Sequence, residues 1–318
     1  MSTSGDLDKI RYSFDANLVM DGSGRKLFQL RYKDACGVDS VAVCRNDLEH
    51  LLANILPQAA TIRFQQTVNR YETHDDKVQA TLKSGEVIEA DLLIGADGLR
   101  SSTRQHFWSE GNCLEDLGYS YAAYSVNSKD SLVSDCVSYN NPGQLDALYR
   151  LRDSQLAALH IWRDETKKRP CQEVGWAAIR TVTANSHPSV VKVVHDGAES
   201  GAAPIIDRLT MVTLPRWSKG PGRAGMALAS AELLGLELKK TGGDVAEALG
   251  SHERQLRPII ERLQDRTKTM AKMYIPKSTF MYYLRNVTIR VMPYSWLVSW
   301  HTGSVVAELD LEKREGVL

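Results

Sequence analysis

The residue types best suited to chemistry lie together in the stretch Leu92–Arg104, which reads Leu-Leu-Ile-Gly-Ala-Asp-Gly-Leu-Arg-Ser-Ser-Thr-Arg. Its apolar run Leu92–Ile94 stops abruptly at Gly-Ala-Asp-Gly, which predicts a buried strand, a tight turn and then a helix that opens with serine and threonine. A strand that ends in glycines beside a helix start leaves backbone N–H groups free to face a ligand phosphate. Asp97 would lie at the carboxyl end of the strand, where ligands bind in open α/β sheets.

The fixed positions of this stretch form a recognisable motif. Gly95–Gly98, Ser101 and Arg104 match the pattern G-A-D-G-x-x-S-x-x-R at every fixed position. The motif resembles the Asp-Gly fingerprint of the single-component FAD-dependent aromatic hydroxylases and related monooxygenases. The resemblance implies that Asp97 contacts the FAD dinucleotide, that Gly98 allows close backbone approach and that Arg104 supports the turn. The competing interpretation is an ordinary buried strand with an Asp-Gly turn.

A second candidate cofactor contact lies earlier in the chain, at Arg45. The leucines that follow it recur at helical spacing and predict an amphipathic helix, which Asn46 or Asp47 can cap. In the family that the motif resembles, an arginine opens this helix as R-x-x-L-x-x-x-L and contacts the flavin cofactor, and Arg45, Leu48 and Leu52 fit that pattern. A cation at this point could pair with a cofactor phosphate. The alternative is a plain amphipathic helix with a solvated arginine.

The third candidate region follows Trp217. Residues 222–234 predict a helix with small residues on one face, which would let its N-terminus come close to a cofactor, with Ala224 as the candidate contact. Gly242–Asp244 is expected to end this helix, and His252–Pro258 lies in a second one. The last fifty residues also predict amphipathic helices.

Two pieces of the family pattern are absent from the sequence. The family begins with a strand–GxGxxG–helix unit that cradles the FAD pyrophosphate, and no GxGxxG occurs here. Between Trp217 and Gly222 the family carries a strand and a Gly-Asp motif, whereas Ser218–Pro221 leads directly into the predicted helix. We therefore expect a truncated form of the family's FAD-binding domain, with weakened affinity for the cofactor.

The order of predicted elements indicates the α/β (mixed α+β) class, with a mostly antiparallel sheet in the middle of the chain. The resemblance implies that this is a remnant of a FAD-binding Rossmann-like domain with an inserted, mostly antiparallel sheet that forms the substrate domain. Strands are expected on both sides of a turn at Asp21–Gly24, over Thr61–Phe64, and in a meander with turns near His74 and Gly85. We predict three segments: 1–117, part of the FAD-binding domain; 118–215, the substrate-binding sheet; and 216–318, the return to the FAD-binding domain followed by helices.

Aromatic residues of the predicted substrate domain could line a pocket for an aromatic or polycyclic ligand: Tyr119, Tyr121, Tyr124, Trp162 and Trp176. For any single one of them, packing in the core is the more common role. A hydrolase is a weaker alternative, because Gly118–Ala122 is a near match to the nucleophile elbow G-x-S-x-G but lacks its final glycine.

Composition excludes several other classes. Lys plus Arg and Asp plus Glu both number 39, so the formal net charge is zero and nothing indicates a nucleic-acid partner. The eight histidines are dispersed, so no metal site is expected. Five cysteines without CxxC spacing indicate free thiols in a reducing compartment. No secretory signal and no apolar run of about 18–20 residues is found, so we expect a cytoplasmic protein without a stable membrane span.

The resemblance of the Asp-Gly motif implies that the protein is an FAD-dependent monooxygenase. As the resemblance implies, it would hydroxylate or epoxidise a small aromatic, polyketide or terpenoid substrate with NAD(P)H and O2, in biosynthesis (secondary metabolism) or catabolism. No catalytic acid or base is identifiable. The alternative is a truncated, catalytically inactive relative that binds a ligand or a partner without flavin.

Overall fold

The structure of the protein is a computed structural model. It describes residues 3–12, 14–36, 41–74, 77–108, 113–127, 132–152, 155–166, 175–219, 224–225 and 231–302. Within those ranges the helices are α1 Thr3–Ile10, α2 Tyr32–Cys36, α3 Arg45–Asn54, α4 Ser102–Phe107, α5 Gly175–Thr183, α6 Pro188–Glu199, α7 Ala231–Lys240, α8 Val245–Tyr274, α9 Thr279–Val291 and α10 Tyr294–Thr302. None of these helices combines the length and apolar character that crossing a membrane requires.

The strands of the described ranges are β1 Arg11–Tyr12, β2 Ala16–Asp21, β3 Lys26–Arg31, β4 Ala42–Val43, β5 Val68–His74, β6 Lys77–Leu82, β7 Val87–Ala90, β8 Leu93–Ile94, β9 Leu114–Asn127, β10 Cys136–Asn141, β11 Gln144–Arg150, β12 Gln155–Arg163, β13 Ile205–Val212, β14 Ser218–Lys219 and β15 Ala224–Gly225. A seven-stranded sheet has the order β13-β9-β12-β11-β10-β2-β3, and two three-stranded sheets have the orders β14-β15-β8 and β5-β6-β7. The mixed α/β prediction is confirmed.

The chain divides into two compact units. One unit comprises Met1–Leu56, Asp116–Leu209 and Asp265–Leu318, and the other comprises Pro57–Glu115 and Thr210–Gln264. Residues before 57 thus join the large sheet, because β2 pairs in parallel with β10 and antiparallel with β3. This grouping differs from the predicted segments, in which the first 117 residues stay together. The assignment of cofactor and substrate roles to segments remains a prediction.

The first unit is built around the seven-stranded sheet and two helices, α5 and α6. Apolar side chains on one face of the sheet, such as Val137 and Leu148, are fully buried against Ile179 and Val190 of the helices. Each side chain of this size contributes about 1.5–3 kcal/mol when buried. The turn predicted at Asp21–Gly24 joins β2 to β3, and the mostly antiparallel sheet predicted after residue 118 is present.

A buried polar network lies in the same unit. Asp146 is wholly buried and accepts hydrogen bonds from the Ser186 hydroxyl at 2.8 Å and from the Gln144 amide at 3.0 Å. His160 Nδ1 lies 2.8 Å from the same carboxylate, and His160 Nε2 lies 3.1 Å from the Tyr124 hydroxyl. Burial raises the pKa of Tyr124, so its phenol stays protonated at neutral pH. The network satisfies polar groups that would otherwise be costly to bury.

The second unit holds the β5-β6-β7 meander, the β14-β15-β8 sheet, α4, α7 and most of α8. Phe107 and Trp108 at the end of α4 pack with Tyr71 of β5, and Leu93 of β8 packs against this cluster. On the helical side, Leu233 of α7 packs with two side chains of α8 and with Trp217. The second helix predicted around His252–Pro258 is therefore present as the long helix α8.

Two expectations about this unit are wrong. Thr61–Phe64 is not a strand, and the Phe64 side chain is 80% exposed, so it lacks the packing that a strand residue would need. The helix predicted from residue 222 begins at Ala231 instead, because Ala224 and Gly225 form β15 beside β8. The remaining residues 222–223 and 226–230 of that prediction lie outside the described residues.

The buried network generates a stability prediction. Asp146→Ala should lower the free energy of unfolding by about 3 kcal/mol, because it leaves the buried Ser186 and His160 and the half-buried Gln144 without their shared acceptor. Urea denaturation monitored by circular dichroism measures this loss. The control is Asp135→Ala, whose carboxylate is half-exposed in an ion pair with Arg150 and should cost less than about 1 kcal/mol. Equal losses in both variants would contradict the role assigned to the network.

Candidate functional site

The Gly-Ala-Asp-Gly stretch follows β8, as the sequence predicts, but the strand differs from the expected one. β8 has two residues and pairs in parallel with β15, with Leu93 opposite Ala224 and Ile94 opposite Gly225. Within the described part of the chain β8 is the last strand of its sheet, so its second edge has no neighbour there. The Ile94 side chain is consequently 45% exposed. The prediction of a buried strand is wrong.

The loop after β8 is held by the carboxylate of Asp97. Its Oδ1 accepts a hydrogen bond from the Ser101 hydroxyl at 2.5 Å, and its Oδ2 accepts from the Thr103 N–H and the Thr103 hydroxyl, both at 3.1 Å. The Ser102 hydroxyl also donates to Oδ2, at 3.2 Å. Burial alone would raise the pKa of Asp97, but these hydrogen bonds outweigh it and keep the pKa below its usual value. Asp97 is therefore ionised at neutral pH.

Arg104 supports the same loop from inside the protein. Its side chain is buried and donates to the backbone carbonyl of Gly98 at 3.2 Å and to that of Leu99. Ser101 is the N-cap of α4, and its hydroxyl accepts from the Arg104 N–H at 2.8 Å. Arg104 thus fixes the turn, and the part of the prediction that gives it this supporting role agrees with the geometry.

Gly98 occupies a backbone conformation that favours glycine. Its φ is +76°, in the left-handed region, and no atom lies within 4 Å of the position that a Cβ would take. Ala96, Asp97 and Gly98 are exposed. A ligand can therefore approach the backbone at Gly98, and a side chain there would stand in its way.

The N–H groups at the start of α4 are less available than expected. The Thr103 N–H is bonded to Asp97, and the Arg104 N–H is bonded to Ser101. The expectation that the helix start presents its N–H groups to a phosphate is therefore wrong for these two residues. What the loop presents is its exposed backbone at Ala96–Gly98, before the helix.

The other two predicted contacts lie in different surroundings. Ala224 lies in β15, directly beside β8, rather than in a helix. The sequence also led us to expect no strand after Trp217, and this is wrong, since β14 and β15 pair there.

Arg45 belongs to the first unit and opens α3 as predicted. The helix has no side-chain cap, in contrast to the expected Asn46 or Asp47.

The Arg45 side chain is free to change its partner. It is 92% exposed and pairs with Glu49 one helical turn later, at 2.8 Å. Such exposed pairs contribute little to stability, so the guanidinium can leave Glu49 for a phosphate at small cost. The structure places Asp97 and Gly98 in one loop, Arg104 in helix α4 with its side chain against that loop, and Ala224 on the strand adjacent to β8.

The second unit also contains a cavity of about 720 Å³ that the sequence did not indicate. It lies between the segment from Thr210 to Trp217 and one side of α8. Arg257 of α8 donates to the carbonyl of Pro215 at 2.7 Å and pairs with Glu253 and Glu261, at 2.6 and 2.8 Å. In the sequence, the spacing of these three charged residues by four predicts ion pairs along one face of a helix. No pattern in the sequence predicts the contact of Arg257 with Pro215, which lies 42 residues away.

Two further predictions can be compared with the structure. Tyr124 and Trp176 pack edge to face in the core of the first unit, with ring centroids 4.7 Å apart, so their role there is packing.

Ser120, the candidate nucleophile of the hydrolase alternative, is fully buried in β9 and donates to Asp164 at 2.8 Å. Within the described residues it lies neither on an exposed turn nor in hydrogen-bond contact with a histidine, both of which a nucleophilic serine requires.

Comparisons with known proteins agree with the motif. A family model described as "FAD binding domain" matches residues 18–198, more than half of the chain. A protein named flavin-dependent monooxygenase, from an unknown prokaryotic organism, is 26% identical over 255 residues, which cover 71% of this chain and 63% of that protein. The chain therefore spans less than two thirds of the length of this relative.

Two other relatives extend the comparison. The 6-hydroxynicotinate 3-monooxygenase of Bordetella bronchiseptica is 27% identical over 201 residues, which cover 58% of this chain and 49% of that enzyme. The crystal structure of Klebsiella pneumoniae HpxO complexed with FAD and uric acid is 16% identical, with a TM-score of 0.81 over 96% of this chain and 84% of that one. At this identity the structural match shows a shared fold.

The geometry of the loop generates a second prediction. Ser101→Ala removes the N-cap of α4 and one donor to Asp97, and should lower the free energy of unfolding by about 1 kcal/mol. Ser102→Ala is the matched control, because its exposed hydroxyl makes only long contacts, to Asp97 at 3.2 Å and to the Tyr71 hydroxyl at 3.4 Å. It should change stability by less than about 0.5 kcal/mol. Chemical denaturation of both variants measures the difference. A loss in Ser102→Ala as large as in Ser101→Ala would contradict the assignment of the cap.

Proposed function

This chain belongs to the family of the FAD-binding domain, and from that premise we propose that it is an FAD-dependent monooxygenase. The observation that carries the proposal is the Gly-Ala-Asp-Gly loop, which follows β8 and is fixed from within by Asp97 and Arg104. A loop of fixed shape with an exposed backbone at the carboxyl end of a strand is where open α/β sheets bind dinucleotides.

The residues present fit the cofactor in one specific way. Open space beside Gly98, together with its positive φ, suits a group that packs directly on the backbone. The Asp97 carboxylate is committed to Ser101, Ser102 and Thr103, so it serves FAD by shaping the loop more than by direct contact. In the first unit, the exposed Arg45 at the start of α3 is by itself a cation that can pair with a phosphate.

We assign the remaining contacts in the same way. Ala224 lies on β15, next to β8, and its small side chain would keep that strand close to the cofactor. Arg104 is buried and acts through the carbonyls of Gly98 and Leu99. When bound, the flavin supplies the redox chemistry that moves one oxygen atom from O2 to the substrate after reduction by NAD(P)H. The chain binds and orients the flavin.

The proposed substrate is a small aromatic, polyketide or terpenoid molecule. One relative is named for 6-hydroxynicotinate and a structural neighbour is complexed with uric acid, both small planar compounds, which supports the aromatic class. The cavity beside α8, of about 720 Å³, lies in the usual size range of small-molecule sites. The proposed setting is the cytoplasm, in keeping with the free thiols of Cys44, Cys113 and Cys136.

Oxygen transfer is the direct test of the proposed activity. The full chain, supplied with FAD and NADPH or NADH, is incubated with a panel of phenols and N-heteroaromatic acids under ¹⁸O2, and the products are analysed by mass spectrometry. The proposal expects one product that gains a single ¹⁸O atom while one equivalent of reduced nicotinamide is consumed. Reduced nicotinamide consumed only to make hydrogen peroxide would contradict it. A chain that binds a ligand of the panel without flavin would support the inactive relative.

The position of FAD is tested by a pair of glycine variants. Gly98→Ala should weaken FAD binding at least about tenfold, because the added methyl group occupies the backbone surface that the cofactor needs. Gly85→Ala is the matched control: Gly85 has a φ of +89°, also with nothing within 4 Å of its Cβ position, but it lies in the β6–β7 turn. Both variants should lose similar stability in thermal unfolding. Equal FAD affinities, measured by flavin fluorescence titration, would contradict the proposed site.

A further inference from the structure

The first unit contains a cavity of about 620 Å³, made by the end of α8, by α9 and by Arg163 at the end of β12. Its volume lies in the usual range for sites that bind small organic molecules. The wall is mainly apolar, and three of the side chains that form it are methionines: Met273, Met281 and Met292. Methionine is flexible and polarizable, so a wall of this kind adapts to the shape of an aromatic or aliphatic ligand.

The charged side chains around this cavity are all cations. Arg163, Lys272, Lys277 and Arg285 line it, and no acidic residue does. The carboxylate of the exposed Glu165 lies 3.0 Å from Arg163 and 3.8 Å from Lys277. Among the residues that the structure describes, neither Lys272 nor Arg285 has a carboxylate within ion-pair distance. The cavity therefore has an excess of positive charge.

Arg285 is held in place without being neutralised. Its guanidinium donates to the carbonyl of Tyr274 at 2.7 Å and to that of Met273 at 3.2 Å, at the end of α8, and to the Asn286 side-chain oxygen at 2.7 Å. Burial lowers the pKa of Arg285. The guanidinium also lies over the Tyr282 ring, 5.1 Å from its centroid, but no carboxylate among the described residues pairs with it. The helix carbonyls orient this cation, and an anion would stabilise it further.

A second buried donor lies beside Arg285. Asn140 is 2% exposed, and its Nδ2 has no hydrogen-bond partner among the described residues. Its Oδ1 faces Arg285 Nη1 at 3.5 Å, which fixes the orientation of the amide, because the reverse orientation would set two donors against each other. Asn140 and Arg285 line a small chamber of about 20 Å³ that shares Met273 and Ile289 with the larger cavity. A chamber of this size holds one water or one ligand oxygen.

From these observations we infer that the cavity binds an aromatic or other apolar carboxylate, with its anionic group at the Arg285 end and its apolar body against the methionines. A water molecule could satisfy Asn140 but would leave the positive charge of Lys272 and Arg285 uncompensated, whereas a carboxylate supplies both an acceptor and the missing charge. The site consists of residues of the first unit and needs no flavin. The inference thus goes beyond the proposed monooxygenase function.

The test compares a carboxylate with its neutral isostere. Isothermal titration calorimetry of the full chain, without FAD, measures the binding of naphthalene-2-carboxylate and of naphthalene-2-carboxamide. The carboxylate should bind at least about tenfold more tightly, as expected for hydrogen bonds to a charged group. Equal affinities, or no heat from either compound at millimolar concentration, would overturn the inference. Because flavin is absent, such a failure would leave the monooxygenase proposal untouched.

Variants locate the binding. Arg285→Gln should abolish the preference for the carboxylate, and Lys272→Gln, at an exposed position where the fold is not at risk, should reduce it about threefold. The control is Arg290→Gln on the same helix α9, whose guanidinium lies 3.7 Å from Asp21 and does not line this cavity. It should leave the preference within about twofold of the unchanged chain. Equal effects of Lys272→Gln and Arg290→Gln would show a general charge effect and contradict the assigned site.

Discussion

The candidate cofactor site depends on one carboxylate. Asp97 accepts hydrogen bonds from the hydroxyls of Ser101, Ser102 and Thr103 and from a backbone N–H, and so ties the end of β8 to the start of α4. Arg104 closes the loop from the inner side through two carbonyls. With both side chains engaged in this way, the backbone at Gly98 is exposed in a fixed conformation. The motif thus acts by giving the loop its shape, and the shape presents the backbone.

The two units of the chain differ in the size of their apolar clusters and in the polar groups that they bury. The first buries a large sheet against α5 and α6 and can afford a polar network at Asp146, because every buried partner is hydrogen-bonded. The same unit keeps a cation, Arg285 of α9, beside a buried donor, Asn140 of β10, and no carboxylate of the described residues pairs with that cation. The second unit has smaller apolar clusters around β8 and α8. In a well-packed unit, a ligand gains the most binding free energy where it supplies a partner to a polar group that has none.

Features set by neighbouring residues were predictable from the sequence, and features set by distant contacts were not. The Asp21–Gly24 turn and the braced loop at Asp97 depend on residues a few positions apart, and both could be predicted. The parallel pairing of β2 with β10 joins segments more than a hundred residues apart, and no local pattern in the sequence indicates it. Likewise, β15 forms because Ala224 and Gly225 pair in parallel with β8, a strand that lies far from them in the sequence. Arg285 meets Asn140 across 145 residues, which no local pattern indicates.

The central claim is that this chain holds FAD at the loop after β8. The most direct measurement is the visible absorbance spectrum of the full chain, incubated with FAD and then desalted. We expect the flavin bands to stay with the wild-type protein and with Gly85→Ala, and to be lost from Gly98→Ala. A wild-type chain that remains folded by circular dichroism but emerges without flavin absorbance would contradict the claim.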